Sequence, residues 1–129
     1  MSESGNSMAF SDLRGADLSG RNYDAADLRG ADLRPVADFS DLRREDGLVR
    51  ADLCQSSFRG ANLSGANLSG ALCLGTDFTA ADLSDVDARG AWFHDAIFTG
   101  AITDRADFTG AVFTDAVHPP KNCGDQETT

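Results

Sequence analysis

The sequence predicts an all-β solenoid, and three observations predict it. From Leu53 to Phe113 every fifth residue is Leu or Phe at ten of thirteen positions. Ala stands two residues before the large one at ten of the thirteen. Gly fills the last position of seven of these repeats, between Gly60 and Gly110. A helix turning ~100° per residue would smear a five-residue period around its surface. A straight strand, alternating faces with period 2, would send successive large residues to opposite sides. The chain must therefore bend once per repeat. The small and the large residue, two apart, face inward on one short extended segment, and the next two turn a corner that suits Gly. Repeated corners wind the chain into coils, and the coils stack.

Taken in order, residues 1–7 are polar, and Met8 and Phe10 are placed to cover the open first coil. The repeat then runs through Leu13, Leu18, Tyr23, Leu28 and Leu33. Arg21 stands where a small inward residue is expected, so either that repeat is distorted or the guanidinium leaves through the coil edge. Between Leu33 and Leu53 the pattern fails, and Phe39, Leu42 and Leu48 fall out of frame. Twenty residues separate Leu33 from Leu53, so the simplest reading of 34–50 is one distorted coil or loop, with Phe39 inside in place of residue 38. Arg43, Arg44, Glu45 and Asp46 would project as a charged loop, and loops on rigid scaffolds carry function. After Val117, His118 falls on the next large-residue position and caps the last coil. Pro119 and Pro120 stop strand pairing, and the polar tail beyond reads as disordered. The expected organisation is a mobile N-terminus at 1–9, a solenoid at 10–118 and a tail at 119–129.

AlaAsnLeuSerGly at 61–65 and again at 66–70, AlaAspLeuArgGly at 26–30 and AlaAspPheThrGly at 106–110 resemble the pentapeptide-repeat proteins. The resemblance implies that five residues form one side of a right-handed quadrilateral parallel β-helix, with about twenty residues per coil. That makes about five coils, one of them distorted. Stacking at this interval puts Phe58, Phe78 and Phe98 in one interior column. It alternates large, small, large through Leu68, Ala88 and Phe108, with Val86 restoring volume beside Ala88, as a close-packed interior requires. The family is frequent in bacteria, cyanobacteria especially.

At 129 residues the chain is one domain. Its 21 acidic and 11 basic side chains leave a net charge of −10, which disfavours direct binding to nucleic acid or to an anionic membrane. Many acids immediately precede the large residue, as Asp17, Asp27, Asp52 and Asp107 do, where a short Asp or Asn hydrogen-bonds nearby backbone. No apolar run approaches the ~18 residues of a membrane span, and the N-terminus lacks the regions of a signal peptide. Cys54, Cys73 and Cys123 are odd in number, with Cys73 expected inside and Cys54 outside. No spacing suggests a metal, and a reduced cytoplasm is the expected setting. His94 follows Phe93 and is expected at the surface with Asp95 beside it. No nucleophile, base and orienting acid converge. The reading is of a non-enzyme, with no catalytic, cofactor-binding or metal residue assigned.

The informative departures are on the outside. The position before the large residue turns apolar at Leu72, Trp92, Ile97, Ile102, Val112 and Val117. At twenty residues per coil, Leu72, Trp92 and Val112 form one outward column, with Asp12, Asp32 and Asp52 above them, and Ile97 and Val117 form a neighbouring column. Contiguous exposed apolar surface marks interaction sites, and Trp is enriched at hot spots. The expected function is that of a binding or scaffold protein, its partner another protein or a second copy in a homodimer. The resemblance implies an alternative, since some family members are DNA mimics that bind DNA gyrase and topoisomerase IV. Residues 51–129 hold 11 acids and 4 bases, which suits mimicry. The ProPro and polar tail stand where those members carry a helical dimerisation segment, and the apolar column interrupts the negative charge.

Overall fold

The structure is a computed structural model that describes residues 7–40 and 46–121. Its repeating unit is visible at Ala51–Gln55. Ala51 and Leu53 are buried, Asp52 between them points out, and Cys54 and Gln55 turn the corner. The turn closes where the Ser56 amide donates to the Leu53 carbonyl at 3.2 Å. Its third residue has positive φ, the signature of a type II turn. Gly60 adopts φ +67° there without strain, whereas Ala80 is held at +59° in the same place.

Consecutive coils pair in parallel at an offset of twenty residues, as in Asp52 with Leu72, Leu72 with Trp92, and Trp92 with Val112. Each side makes two ladder bonds. Leu53 donates its amide to the Leu72 carbonyl at 2.8 Å, and the Leu72 amide reaches the Ala51 carbonyl at 2.9 Å. The corner contributes a third, from the Gln55 amide to the Leu74 carbonyl at 2.9 Å. Backbone groups therefore find partners between coils, as buried polar backbone must.

The interior holds a ladder of four stacked rings. Tyr23 lies 5.1 Å from Phe58, Phe58 lies 5.8 Å from Phe78, and Phe78 lies 5.4 Å from Phe98, with ring planes within 16–17° of parallel. Leu68, Ala88 and Phe108 alternate as expected, and Val86 is buried beside Ala88. Among the described residues two buried polar ones, Ser56 and Thr76, occupy the small inward position in successive coils. Both hydroxyls are satisfied by corner carbonyls, Ser56 by that of Leu18 and Thr76 by that of Leu53 at 2.6 Å. Arg21 heads this column. Its backbone keeps its place, with its amide donating to the Ser56 hydroxyl at 3.2 Å, and the residue is exposed. The repeat is undistorted and the guanidinium leaves the coil.

The described residues between 34 and 50 belong to a projecting loop and not to a distorted coil. Asp17 pairs with Asp52, Asn22 with Ser57, Asp27 with Asn62 and Asp32 with Asn67, an offset of thirty-five. The Leu53 side thus follows directly on the Leu33 side. The intervening chain leaves and returns as an antiparallel hairpin, β1 (Val36–Ala37) against β2 (Leu48–Val49). Charge explains the expulsion. Kept in frame, Asp38 and Arg43 would take large inward positions and Asp41 and Asp46 small ones, burying unpaired charges at heavy cost. Phe39 is consequently outside, 74% exposed, with its ring against Gly47, where a Cβ would come within 2.0 Å. Leu42, Arg43, Arg44 and Glu45 lie outside the described residues.

The ends differ from expectation as well. Ser7 already pairs with Asp27, so the stack includes residues before 10, and Met8 is half-buried against the core. Phe10 is no lid. It is a corner residue at φ +60° and 75% exposed. At the other end Pro120 is buried, and Pro119 and Pro120 flank a cleft of about 600 Å³ beside Phe98 and Ala101. His118 is exposed at this end, its Nδ1 2.9 Å from the Thr99 hydroxyl. The tail beyond Lys121, including Cys123, lies outside the described residues.

Two stability measurements check this account. Phe78→Ala removes a ring stacked on both sides and should lose about 3–5 kcal/mol in denaturant unfolding. Ala80→Gly relieves a left-handed residue and should gain ~0.5–1 kcal/mol, the relief of about 1–2 less the entropy cost of Gly.

Candidate interaction surface

Every outward middle residue lies on one of four flat faces. The first carries Asp17, Asp52, Leu72, Trp92 and Val112, and the next around the coil carries Asn22, Ser57, Asp77, Ile97 and Val117. The third carries Ser7, Asp27, Asn62, Asp82 and Ile102, and the fourth carries Asp12, Asp32, Asn67, Asp87 and Asp107. The loop shifts the upper coils, so Asp12 and Asp32 are not above Asp52 as the twenty-residue count implies. They belong to the fourth face, and Asp17 heads the Trp92 face.

The Asp and Asn residues here have a structural task. Each turns its side-chain oxygen onto the backbone amide two residues on, the first amide of the corner. Asp52 holds the Cys54 amide at 2.9 Å, Asn62 that of Ser64 at 3.0 Å, Asn67 that of Ser69 at 2.9 Å and Asp82 that of Ser84 at 3.0 Å. A net hydrogen bond of this kind contributes about 0.5–1.5 kcal/mol. Four arginines then close onto the same carboxylates through both oxygens, Arg14 on Asp12, Arg29 on Asp27, Arg34 on Asp32 and Arg89 on Asp87. Arg105 clamps Asp85 from the next coil, with Nε at 2.7 Å. The Arg14 guanidinium hydrogen-bonded to Asp12 lowers that carboxyl to about 2, and Arg29 does the same for Asp27.

Leu72, Trp92, Ile97, Ile102, Val112 and Val117 offer no side-chain oxygen to the corner, so each gives up that bond. Leu72, Trp92 and Val112 are consecutive in one column, and Ile97 and Val117 are consecutive in the adjoining one. Ile102 is on the third face, the next side around the coil from Ile97. Trp92 is 43% exposed, Val117 43% and Ile102 47%. His94 is half-buried at the corner between the Trp92 and Ile97 columns, 6.1 Å from the Trp92 ring and edge-on to it. His94 is less exposed than expected because the Trp92 ring, two residues before it, packs edge-on against it. Arg50, leaving the hairpin, carries its guanidinium 5.9 Å over Trp92 and bonds the Gly70 carbonyl at 3.1 Å and Asp46 at 3.1 Å. Asp46 is thus the described member of the expected charged loop, and it is tied to the base of the hairpin. Cys73 is buried, which pushes its thiol well up, and Cys54 is half-buried at a corner, with its thiol raised for the same reason. Among the described residues no group of three or more His, Cys, Asp or Glu is placed to hold a metal, and no helix is long and apolar enough to cross a membrane.

The family model described as pentapeptide repeats matches in eight copies, over residues 6–34, 48–72, 61–100 and 93–117. The chain belongs to the pentapeptide-repeat family. This pentapeptide-repeat protein has the right-handed quadrilateral β-helix of its kind, and the internal gap in the match, between residues 34 and 48, opens where β1 leaves the stack. It is similar to a solved pentapeptide repeat protein of the Arabidopsis thaliana thylakoid lumen, at 31% identity and a TM-score of 0.61, over 86% of this chain and 69% of that one. A trypsin-treated form of QnrB1, a plasmid-mediated fluoroquinolone resistance protein, matches at 17% identity and a TM-score of 0.45, over 94% of this chain and 57% of that one. A pentapeptide repeat protein of the cyanobacterium Cyanothece 51142 matches at 22% identity and a TM-score of 0.40, over 86% and 79%. No curated protein sequence matches this one.

The clamped carboxylates have a pH signature. Asp12 and Asp27 are depressed from 3.8 to about 2. A depressed folded pKa stabilises above the unfolded value and ceases to do so as pH falls through the folded one. Thermal unfolding should therefore hold steady from neutral pH to about 4 and then decline towards pH 2. Arg14→Gln and Arg29→Gln together should flatten that decline.

Proposed function

We propose that this pentapeptide-repeat protein is a non-catalytic binding protein whose rigid solenoid associates with a second copy of itself through the Leu72–Trp92–Val112 column and the adjoining Ile97 and Val117. The observation that carries this reading is the exchange made along these columns. Side chains that cap the corner elsewhere are replaced, on adjacent faces, by residues that forgo the hydrogen bond and leave apolar surface in water. That exchange lowers the stability of the isolated chain, and burial against a partner offsets it at roughly 25 cal/mol per Å². A homodimer is the commonest partnership among soluble oligomers. The same surface serves a heterologous protein partner if the second copy does not occupy it.

DNA mimicry directed at gyrase is the second reading, and the net charge of −10 is what favours it. The arginines weigh against it. The face richest in acid has Asp12, Asp32 and Asp87 each closed by its own guanidinium, which breaks up the even negative potential of a phosphate backbone.

Sedimentation equilibrium tests the first reading. The wild type is expected to be dimeric and Trp92→Asp monomeric, with unchanged circular dichroism; a wild type that stays monomeric at high concentration overturns self-association. In a supercoiling assay at micromolar protein, gyrase is expected to be unaffected, and inhibition would promote the second reading.

A further inference from the structure

The hairpin stands beside the upper part of the Trp92 face and walls off a groove of about 380 Å³. Its apolar lining is Leu48 and Val49 from β2 and Leu72 from the face, and its charged rim is Asp17, Asp52 and the ion pair of Arg50 with Asp46, which leaves two carboxylates in excess. The groove is at the low end of ligand-pocket size, suited to a few side chains.

The rim carries an imbalance found nowhere else on the molecule's described faces. Three pairs of carboxylates stack directly across adjacent coils, Asp12 on Asp32, Asp17 on Asp52 and Asp87 on Asp107. Like charges so placed oppose folding. In the first pair both acids are closed by arginines, and in the third Asp87 is. Asp17 and Asp52 have none among the described residues. Asp17 bonds Ser19, and Asp52 bonds the Cys54 amide. The pair that no guanidinium closes is the one that faces the groove, with only the more distant charge of Arg21 acting on Asp17.

We propose that this groove docks an extended segment of a partner protein bearing a lysine or arginine next to an aliphatic residue. The cation sits between Asp17 and Asp52, supplying the charge that arginines supply to the other stacked pairs. The aliphatic side chain lies on Leu48, Val49 and Leu72. Charge complementarity at Asp17 and Asp52 selects this occupant, and because the groove shares Leu72 with the proposed self-association surface, a bound segment competes with the second copy there.

An acetylated, amidated Leu-Lys-Leu-Lys peptide is the probe, followed by calorimetry and by the fluorescence of Trp92, the single tryptophan. Asp17→Asn with Asp52→Asn is the test variant. Asn performs the same corner capping at Asn62 and Asn67, so the fold is retained. Binding to the wild type is expected, weakened about tenfold in the double variant and reduced by salt, as two exposed ion pairs allow. A Leu-Glu-Leu-Glu peptide is expected not to bind. Sedimentation of the double variant should match the wild type, which separates loss of this site from loss of self-association. No binding, equal binding to the double variant, or equally tight binding of spermidine or calcium ion alone overturns the proposal.

Discussion

The width of the coil interior governs everything else. Each coil must close over a space that admits one large side chain from each wall, while neighbouring coils sit a ladder's spacing apart. Rings a few ångströms thick fit that spacing, and so Tyr23, Phe58, Phe78 and Phe98 stack nearly face to face. The same constraint favours Ala or a satisfied hydroxyl at the other inward position, and it admits Val86 where the large residue shrinks to Ala88. Ser56 and Thr76 qualify because corner carbonyls lie within reach of their hydroxyls.

With the inside so tightly specified, the outward middle residue is the freest on each side, and two uses compete for it. Asp and Asn there cap the corner, and at Asp12, Asp27, Asp32 and Asp87 an arginine two residues on closes over the charge that results. Apolar residues there abandon the cap. The lower coils make the second choice on two adjacent faces and keep the caps of Asp82, Asp87 and Asp107 on the others, which separates a polar upper half from a partly apolar lower half. The hairpin arises at the boundary between these halves, and Arg50 links it to Trp92.

How much of this was legible follows from the range over which each feature is set. The five-residue period is local, so Phe58 above Phe78 above Phe98, and Leu72 above Trp92 above Val112, could be read directly from the chain. Cys73 inside was equally plain, because it occupies a large-residue position. Residues 34–50 were less legible for a simple reason. Any insertion that is a multiple of five restores the frame, so the return at Leu53 fits a whole coil and a projecting loop equally. Asp38, Arg43, Asp41 and Asp46 on inward positions were the signal that separates them. The groove was not legible at all, since Leu48 and Asp17 become neighbours only once the loop has left the stack.

The sequence by itself determined the inward and outward sides of every regular repeat, because alternation within five residues is fixed by backbone geometry. Only the tertiary structure decided which upper coil rests on which lower one. The ladder can close at twenty or at thirty-five, and the choice falls to the longer offset because it keeps charges out of the interior and sets Tyr23 on Phe58.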